Sequence, residues 1–227
     1  MQIEFVHQPG NTAAKVMLEP GEICTAESGA MIAMSGNMKI TTTTHKKGSG
    51  GLLKAIKRKI AGESLFLNHF EPDNDYGEVW LGTALSGDMF TLELDNENLI
   101  VQGSSFLACE HNIDIDLGWQ GFKSIFSGES VFWVNLSGAG KVIVSSFGAI
   151  YPIDVDGEYI VDSGHIVAFN ETLDFSIAKA GSSWIQSFLG GEGLVCKFTG
   201  KGTVWCQSHN PRSFGMAIAG GLRERRI

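Results

Sequence analysis

Short apolar runs alternate with glycine-rich turns along the whole chain, a pattern typical of all-β proteins. In residues 92–95 and 153–156, apolar and acidic residues alternate with a period of two, which indicates strands with one solvated face. Residues 131–134 are apolar without alternation, which predicts a strand buried on both faces. The 29 glycines are spread along the chain, and they favour tight turns between strands rather than a flexible linker.

One order of elements occurs three times. A strand, a turn of small residues and a second strand are predicted at residues 24–34, and the same cadence returns at 99–109 and 159–169. Each copy continues with a third strand, a short amphipathic segment and an apolar strand that follows a Gly-Glu pair. The glycine of each pair stands where a helix needs a left-handed C-terminal residue, so one short helix is predicted in each copy. The pairs are Gly62-Glu63, Gly128-Glu129 and Gly191-Glu192.

The three copies predict one domain rather than three. A module of about five short strands and one short helix cannot bury its own apolar face, so three modules are expected to pack together about a pseudo-threefold axis. Residues 1–227 are therefore predicted to form a single all-β domain with a C-terminal tail at 211–227. The tail is apolar and short, and it is expected to cover a sheet edge or a neighbouring subunit. The repeats run approximately over 14–88, 89–149 and 150–210.

Residues 26–34, together with 50–54 and 62–68, resemble the mitochondrial-biogenesis family named for altered inheritance of mitochondria (its member twenty-four) and its bacterial relatives of unknown function. The resemblance covers essentially the whole chain. It implies a fold similar to that of the tryptophan RNA-binding attenuation protein superfamily, a shortened double-stranded β-helix, here in internal triplicate. It implies neither catalytic residues nor RNA binding, since fold does not fix function. The first residues lack an Arg-rich presequence, so a bacterial, cytoplasmic member is expected.

Composition narrows the range of partners. The formal net charge is −8, which argues against nucleic acid and against anionic membranes as partners of the whole surface. No apolar run approaches the roughly 18 residues that a membrane span needs. The cysteines have no metal-type spacing and predict reduced, buried thiols in a cytoplasmic protein. They are Cys24, Cys109, Cys196 and Cys206.

Glu63, Glu129 and Glu192 are the first candidate site, because each follows a helix-ending glycine, where the helix dipole disfavours an anion. One interpretation is that each carboxylate accepts backbone N–H groups where one module meets the next. The other is that the three carboxylates converge on the axis and hold a hard cation. The first is favoured, because like charges crowded together without histidine or aspartate ligands are costly.

A basic stretch is the second candidate site. It is the longest version of the repeated amphipathic segment, and it carries six of the chain's 17 lysines and arginines. It is interpreted either as a solvated helix face or as a surface for an acidic partner or anionic lipid. Its basic residues are Lys46, Lys47, Lys54, Lys57, Arg58 and Lys59.

Enzyme motifs are missing from the sequence. The six histidines are isolated, so the His-x-His pattern of metal-dependent β-helix enzymes does not occur, and no nucleophile elbow or phosphate-binding loop is present. The glycines at 138–140 and 200–202 predict hairpin turns. We therefore expect a non-enzymatic β-structured scaffold or interaction protein without a cofactor, and a homo-oligomer. The alternatives are a small-ligand or metal-binding β-barrel, with or without enzyme activity, and a peripheral binder acting through residues 46–59.

Overall fold

The chain folds mainly into β-strands, as the sequence predicts. The computed structural model describes residues 1–44, 66–116, 132–179, 194–219 and 221. Two 3-10 turns, at Gly103–Ser105 and Ser163–His165, and one α-helix, α1 (Pro211–Ala219), accompany the strands in this part of the chain. The strands are β1 (Gln2–Val6), β2 (Ala13–Leu18), β3 (Cys24–Glu27), β4 (Met31–Met34), β5 (Met38–Thr44), β6 (Phe66–Pro72), β7 (Gly77–Leu81), β8 (Met89–Gln102), β9 (Phe106–Glu110), β10 (Ile113–Asp116), β11 (Trp133–Ser145), β12 (Ile150–Asp162), β13 (Ile166–Asn170), β14 (Asp174–Lys179) and β15 (Leu194–Gln207).

The strands form two sheets. A four-stranded sheet has the order β1-β2-β7-β4, and an eleven-stranded sheet has the order β12-β15-β13-β8-β11-β9-β3-β6-β5. Two further strands of the large sheet lie off this path, since β10 pairs with β11 and β14 pairs with β15. Every strand pairing is antiparallel. The small sheet therefore ends at β1 and β4, and the path of the large sheet ends at β12 and β5.

The predicted hairpin turns at 138–140 and 200–202 are wrong, because one continuous strand runs through each of them. Strand β11 crosses the first glycine cluster with a register shift between Gly138 and Ala139, and β15 crosses the second. Gly138 has a φ of 119°, and a Cβ there would lie 2.5 Å from the carbonyl oxygen of Asn112. A glycine is thus required by a bulge within the strand and not by a chain reversal.

The hydrophobic core runs from each predicted repeat into the next. We call residues 14–88, 89–149 and 150–210 the first, second and third segments. Leu107 and Ile143 of the second segment pack into the cluster of the first segment. Ile100 and Trp133 of the second segment pack into the cluster of the third. In the cluster of the third segment, Trp133 and Phe169 make an edge-to-face contact with ring centroids 5.5 Å apart. The second segment therefore shares its core with both neighbours.

The chain after β15 forms α1, where the sequence predicts a short apolar tail. The Asn210 side chain accepts a hydrogen bond from the Arg212 backbone N–H at 2.9 Å, as a helix N-cap does. Phe214 of α1 packs on Phe147 with ring centroids 5.1 Å apart. Met216 and Ile218 stay exposed. Among the described residues, no helix has the length and apolar character needed to cross a membrane.

Candidate interaction surface

The two predicted site clusters lie outside the described residues. Neither the three glutamates Glu63, Glu129 and Glu192 nor the basic stretch from Lys46 to Lys59 belongs to the part of the chain that the structure describes. Their proposed roles as junction carboxylates, cation ligands or partner surface stay predictions. The short helix predicted before each repeated glutamate falls in the same undescribed stretches.

His69 and His165 are held by neutral hydrogen-bonding groups. His69 on β6 lies between two threonine hydroxyls, with Nδ1 2.9 Å from Thr25 Oγ1 and Nε2 2.8 Å from Thr43 Oγ1. Burial, with a smaller contribution from His111, lowers the pKa of His69. His165 Nδ1 lies 2.8 Å from the Gln207 carbonyl oxygen. Within the described ranges, no three His, Cys, Asp or Glu side chains come together as a metal site would require.

The four cysteines are buried, as the sequence predicts, and none of them forms a disulfide. Burial raises the pKa of Cys24 and of Cys206 to about 12, and it also raises the pKa of Cys109. A thiol must lose its proton to act as a nucleophile or as a metal ligand. These three side chains therefore serve as small apolar core groups at neutral pH.

The first segment joins the second through β3 and β9. These strands pair antiparallel, with Cys24 opposite Glu110, Thr25 opposite Cys109 and Ala26 opposite Ala108. Four of these six side chains, those of Cys24, Ala26, Ala108 and Cys109, have no exposed area. The pairing continues the large sheet from one segment into the next without a break.

The second segment joins the third in the same way, through β8 and β13. Leu99 lies opposite Asn170, Ile100 opposite Phe169 and Val101 opposite Ala168. When residues 24–34, 99–109 and 159–169 are aligned, Cys24 corresponds to Leu99, and Ala108 corresponds to Ala168. The two junctions therefore have one register, which we call the junction register.

A shared irregularity supports this correspondence. The short strand after each turn pairs inside its own segment with a register shift at its second residue. The shift falls between Met31 and Ala33 in β4, and β9 and β13 carry it at the matching positions. The bulged residues are Ile32, Leu107 and Val167. Strands β4, β9 and β13 thus occupy one structural position in their segments.

The third possible junction is open, and it leaves two apolar edges exposed. By the same alignment, a third junction would pair β12 with β4, but no described strand pairs with the outer edge of either. Ile160 on β12 is 54% exposed, whereas Ile100, its counterpart in β8, is fully buried. Ile32 on β4 is 60% exposed, whereas Leu107, its counterpart in β9, is buried. We call the two edges without a described strand partner, residues 31–34 and 159–161, the open edges.

The sequence held a signal for the open edges, but an incomplete one. Aligning residues 24–34, 99–109 and 159–169 yields the correspondence of positions. The alignment does not show which of the corresponding strands pairs with another strand, since apolar residues occupy both the buried and the exposed positions. Ile100 and Ile160 illustrate this point, because they are the same residue type at the same place in the repeat.

A shallow cleft lies beside the turns that precede β4 and β9. It has a volume of about 410 Å³ and reaches from Gly29 in the first segment past Ser105 to Gln207 in the third. The described residues that line it are mostly small and polar. They offer hydrogen bonds but no cluster of charged groups on which to argue for a ligand.

Comparisons with known proteins identify one family and two similar bacterial proteins. The model of the family described as Mitochondrial biogenesis AIM24 matches residues 3–209. An uncharacterized protein of Streptococcus pyogenes serotype M6 is 31% identical over 206 residues, covering 88% of this chain and 82% of that protein. An X-ray crystal structure of a Streptococcus pyogenes protein superimposes with a TM-score of 0.80 at 27% identity, covering 97% of this chain and 99% of that one. The chain therefore belongs to the Mitochondrial biogenesis AIM24 family.

Proposed function

We propose that this chain is a non-enzymatic, cytoplasmic β-structured scaffold that associates with itself. The single observation that carries the proposal is the pair of open edges on β4 and β12. A strand edge with apolar side chains and unpaired backbone groups is a ready template for another strand. Globular proteins usually protect such edges with charge, proline or a covering element, so an unprotected edge favours a binding role.

The proposal includes the repeat architecture. Three modules, of the shortened double-stranded β-helix type found in the tryptophan RNA-binding attenuation protein superfamily, would occupy residues 14–88, 89–149 and 150–210. The shared junction register and the shared bulge at Ile32, Leu107 and Val167 support three copies of one unit. The pseudo-threefold arrangement expected from the sequence stays a prediction, because β4 and β12 do not meet in the described structure.

Light scattering coupled to size-exclusion chromatography tests self-association. We expect a mass above that of one chain at micromolar concentration, because apolar edges of this kind gain free energy when a strand covers them. The measurement is repeated over a hundredfold dilution series. A monomer mass at every concentration would contradict the proposal.

A further inference from the structure

We propose that β12 of one molecule pairs with β4 of a second copy of the chain, antiparallel and in the junction register. This inference rests on the proposed self-association and specifies its contact. It places Tyr159 opposite Ser35, Ile160 opposite Met34 and Val161 opposite Ala33. The large sheet of one molecule would then continue into the small sheet of the next.

The register comes from the two junctions inside the chain. In the second, Leu99, Ile100 and Val101 lie opposite Asn170, Phe169 and Ala168. Replacing each of these residues by its counterpart in the open edges gives the proposed pairs. The first junction yields the same result, since Thr25 lies opposite Cys109 and these correspond to Ile160 and Met34. Two independent junctions therefore predict one set of contacts.

The side chains at the open edges suit a buried strand contact. Strand β4 presents Met31, Ile32, Ala33 and Met34, all exposed and all uncharged. Residues 159–161 of β12 are likewise uncharged, and Tyr159 and Ile160 are exposed. Their counterparts in the internal junctions, Leu99 and Ile100, are at most 1% exposed. The open edges therefore have the composition of junctions that are covered elsewhere in the same molecule.

The residues of β12 that hinder the addition of another strand end before the proposed contact begins. Its first part carries Pro152, Asp154 and Asp156, which are features that prevent strand addition. Residues 159–161 carry neither proline nor charge. Strand β5, another outer strand of the large sheet, carries the exposed Lys39, which is paired with Asp73. Along β12, the stretch without proline or charge coincides with the residues that the junction register selects.

A second copy fits these edges better than an unrelated strand. The two edges belong to different sheets of one molecule, and the internal junctions pair their counterparts with each other. Such head-to-tail contacts generate a ring when the rotation closes and a filament when it does not. Closure within a single chain would require β12 and β4 of that chain to pair, and they do not pair among the described strands.

Cysteine cross-linking between two variants tests the contact. Met34→Cys and Ile160→Cys are made in separate full-length chains, which are mixed in equal amounts, allowed to exchange and oxidised. Opposite residues in antiparallel strands have Cα atoms about 4.5–5.5 Å apart, within the range that a disulfide spans. The native cysteines are buried and leave the new pair as the exposed thiols among the described residues. We expect a covalent dimer in the mixture and not with either variant alone.

Ile40→Cys mixed with Ile160→Cys is the matched control. Ile40 is 40% exposed and lies on β5, which is also an outer strand, but outside the proposed contact. We expect at least a tenfold lower yield of dimer from this control. Equal yields from the two mixtures would overturn the proposed pairing.

The remaining outcomes separate this inference from the proposed function. If light scattering shows an oligomer but Met34→Cys and Ile160→Cys do not cross-link, self-association stands and the β12–β4 contact is wrong. If the two cysteines placed in one chain cross-link only within a monomer, the chain closes on itself, and the contact between copies is wrong. A monomer that forms no cross-link of either kind overturns both proposals.

Discussion

The His69 side chain links the two strands that lie on either side of its own strand. Its ring nitrogens contact Thr25 of β3 and Thr43 of β5, while its backbone belongs to β6 between them. A neutral imidazole can donate to one hydroxyl and accept from the other, whereas the protonated ring can only donate. The partly buried position and the positive charge of a protonated His111 both disfavour the charged form.

We predict that His69 makes the protein less stable in mild acid. Its folded-state pKa is lowered below the unfolded value, so the unfolded chain binds the proton more readily and stability falls as the pH drops through about 6.5. Urea unfolding at pH 7.5 and pH 5.5 measures the effect. His69→Gln should reduce the difference between the two pH values, and His111→Gln should reduce it less, because burial is the larger cause. An unchanged pH dependence in His69→Gln would refute this assignment.

At the scale of the elements, the second and third segments keep long strands where the first one is broken. Strand β8 spans the stretch that β2 and β3 divide between them, and β11 spans what β6 and β7 divide. The break between β2 and β3 contains Gly21 with a φ of 88°, and Asn96 within β8 has a φ of 59°. The same backbone irregularity thus ends a strand in one copy and only bends it in another.

The equivalence of Ile100 and Ile160 can be tested by matched substitutions. Ile100→Ala should lower the free energy of unfolding by about 2–5 kcal/mol, because it opens a cavity in a fully buried junction. Ile160→Ala should change it by less than about 0.5 kcal/mol in dilute solution, where the side chain is solvated.

Urea unfolding at low and high protein concentration supplies the measurement. Because association stabilises only the folded state, the wild-type midpoint should rise with concentration. In Ile160→Ala this rise should be weaker, and in Ile100→Ala it should persist at a lower midpoint. Equal concentration dependence in wild type and Ile160→Ala would argue against a role of Ile160 in the contact.

Much of the strand order could be predicted from the sequence, but its continuity could not. The strands on either side of the turns at 28–30, 103–105 and 163–165 follow from apolar runs separated by small residues. The turns predicted at 138–140 and 200–202 failed, because a glycine with positive φ serves a bulge or a bend within a strand as well as it serves a hairpin. Gly200, with a φ of 118°, lies directly opposite Gly157 inside the paired β12 and β15.

The candidate site could likewise be predicted only in part from the sequence. Residues that correspond between segments could be aligned from the sequence, whereas exposure depends on which segment has a neighbour. Met34 and Phe169 occupy matching positions of the aligned residues 24–34 and 159–169, yet Met34 is 37% exposed and Phe169 is buried. Phe169 lies where β13 pairs with β8, whereas no described strand pairs with the outer edge of β4.

At the scale of the whole molecule, the two open edges are unlike, since one lies on β4 and the other on β12. Each internal junction already joins one strand of each kind. The net charge of −8 opposes nonspecific association, and the proposed contact between copies therefore relies on the short open edges. These features favour a directional assembly whose interface repeats the junctions of the chain.

Native mass spectrometry of the wild-type protein tests the central claim most directly. A head-to-tail contact predicts assemblies heavier than one chain. Where the rotation closes, they form one ring whose mass does not grow with concentration, and where it does not close, they form a series of whole-number multiples that lengthens with concentration. A spectrum containing only the monomer across the micromolar range would contradict the account.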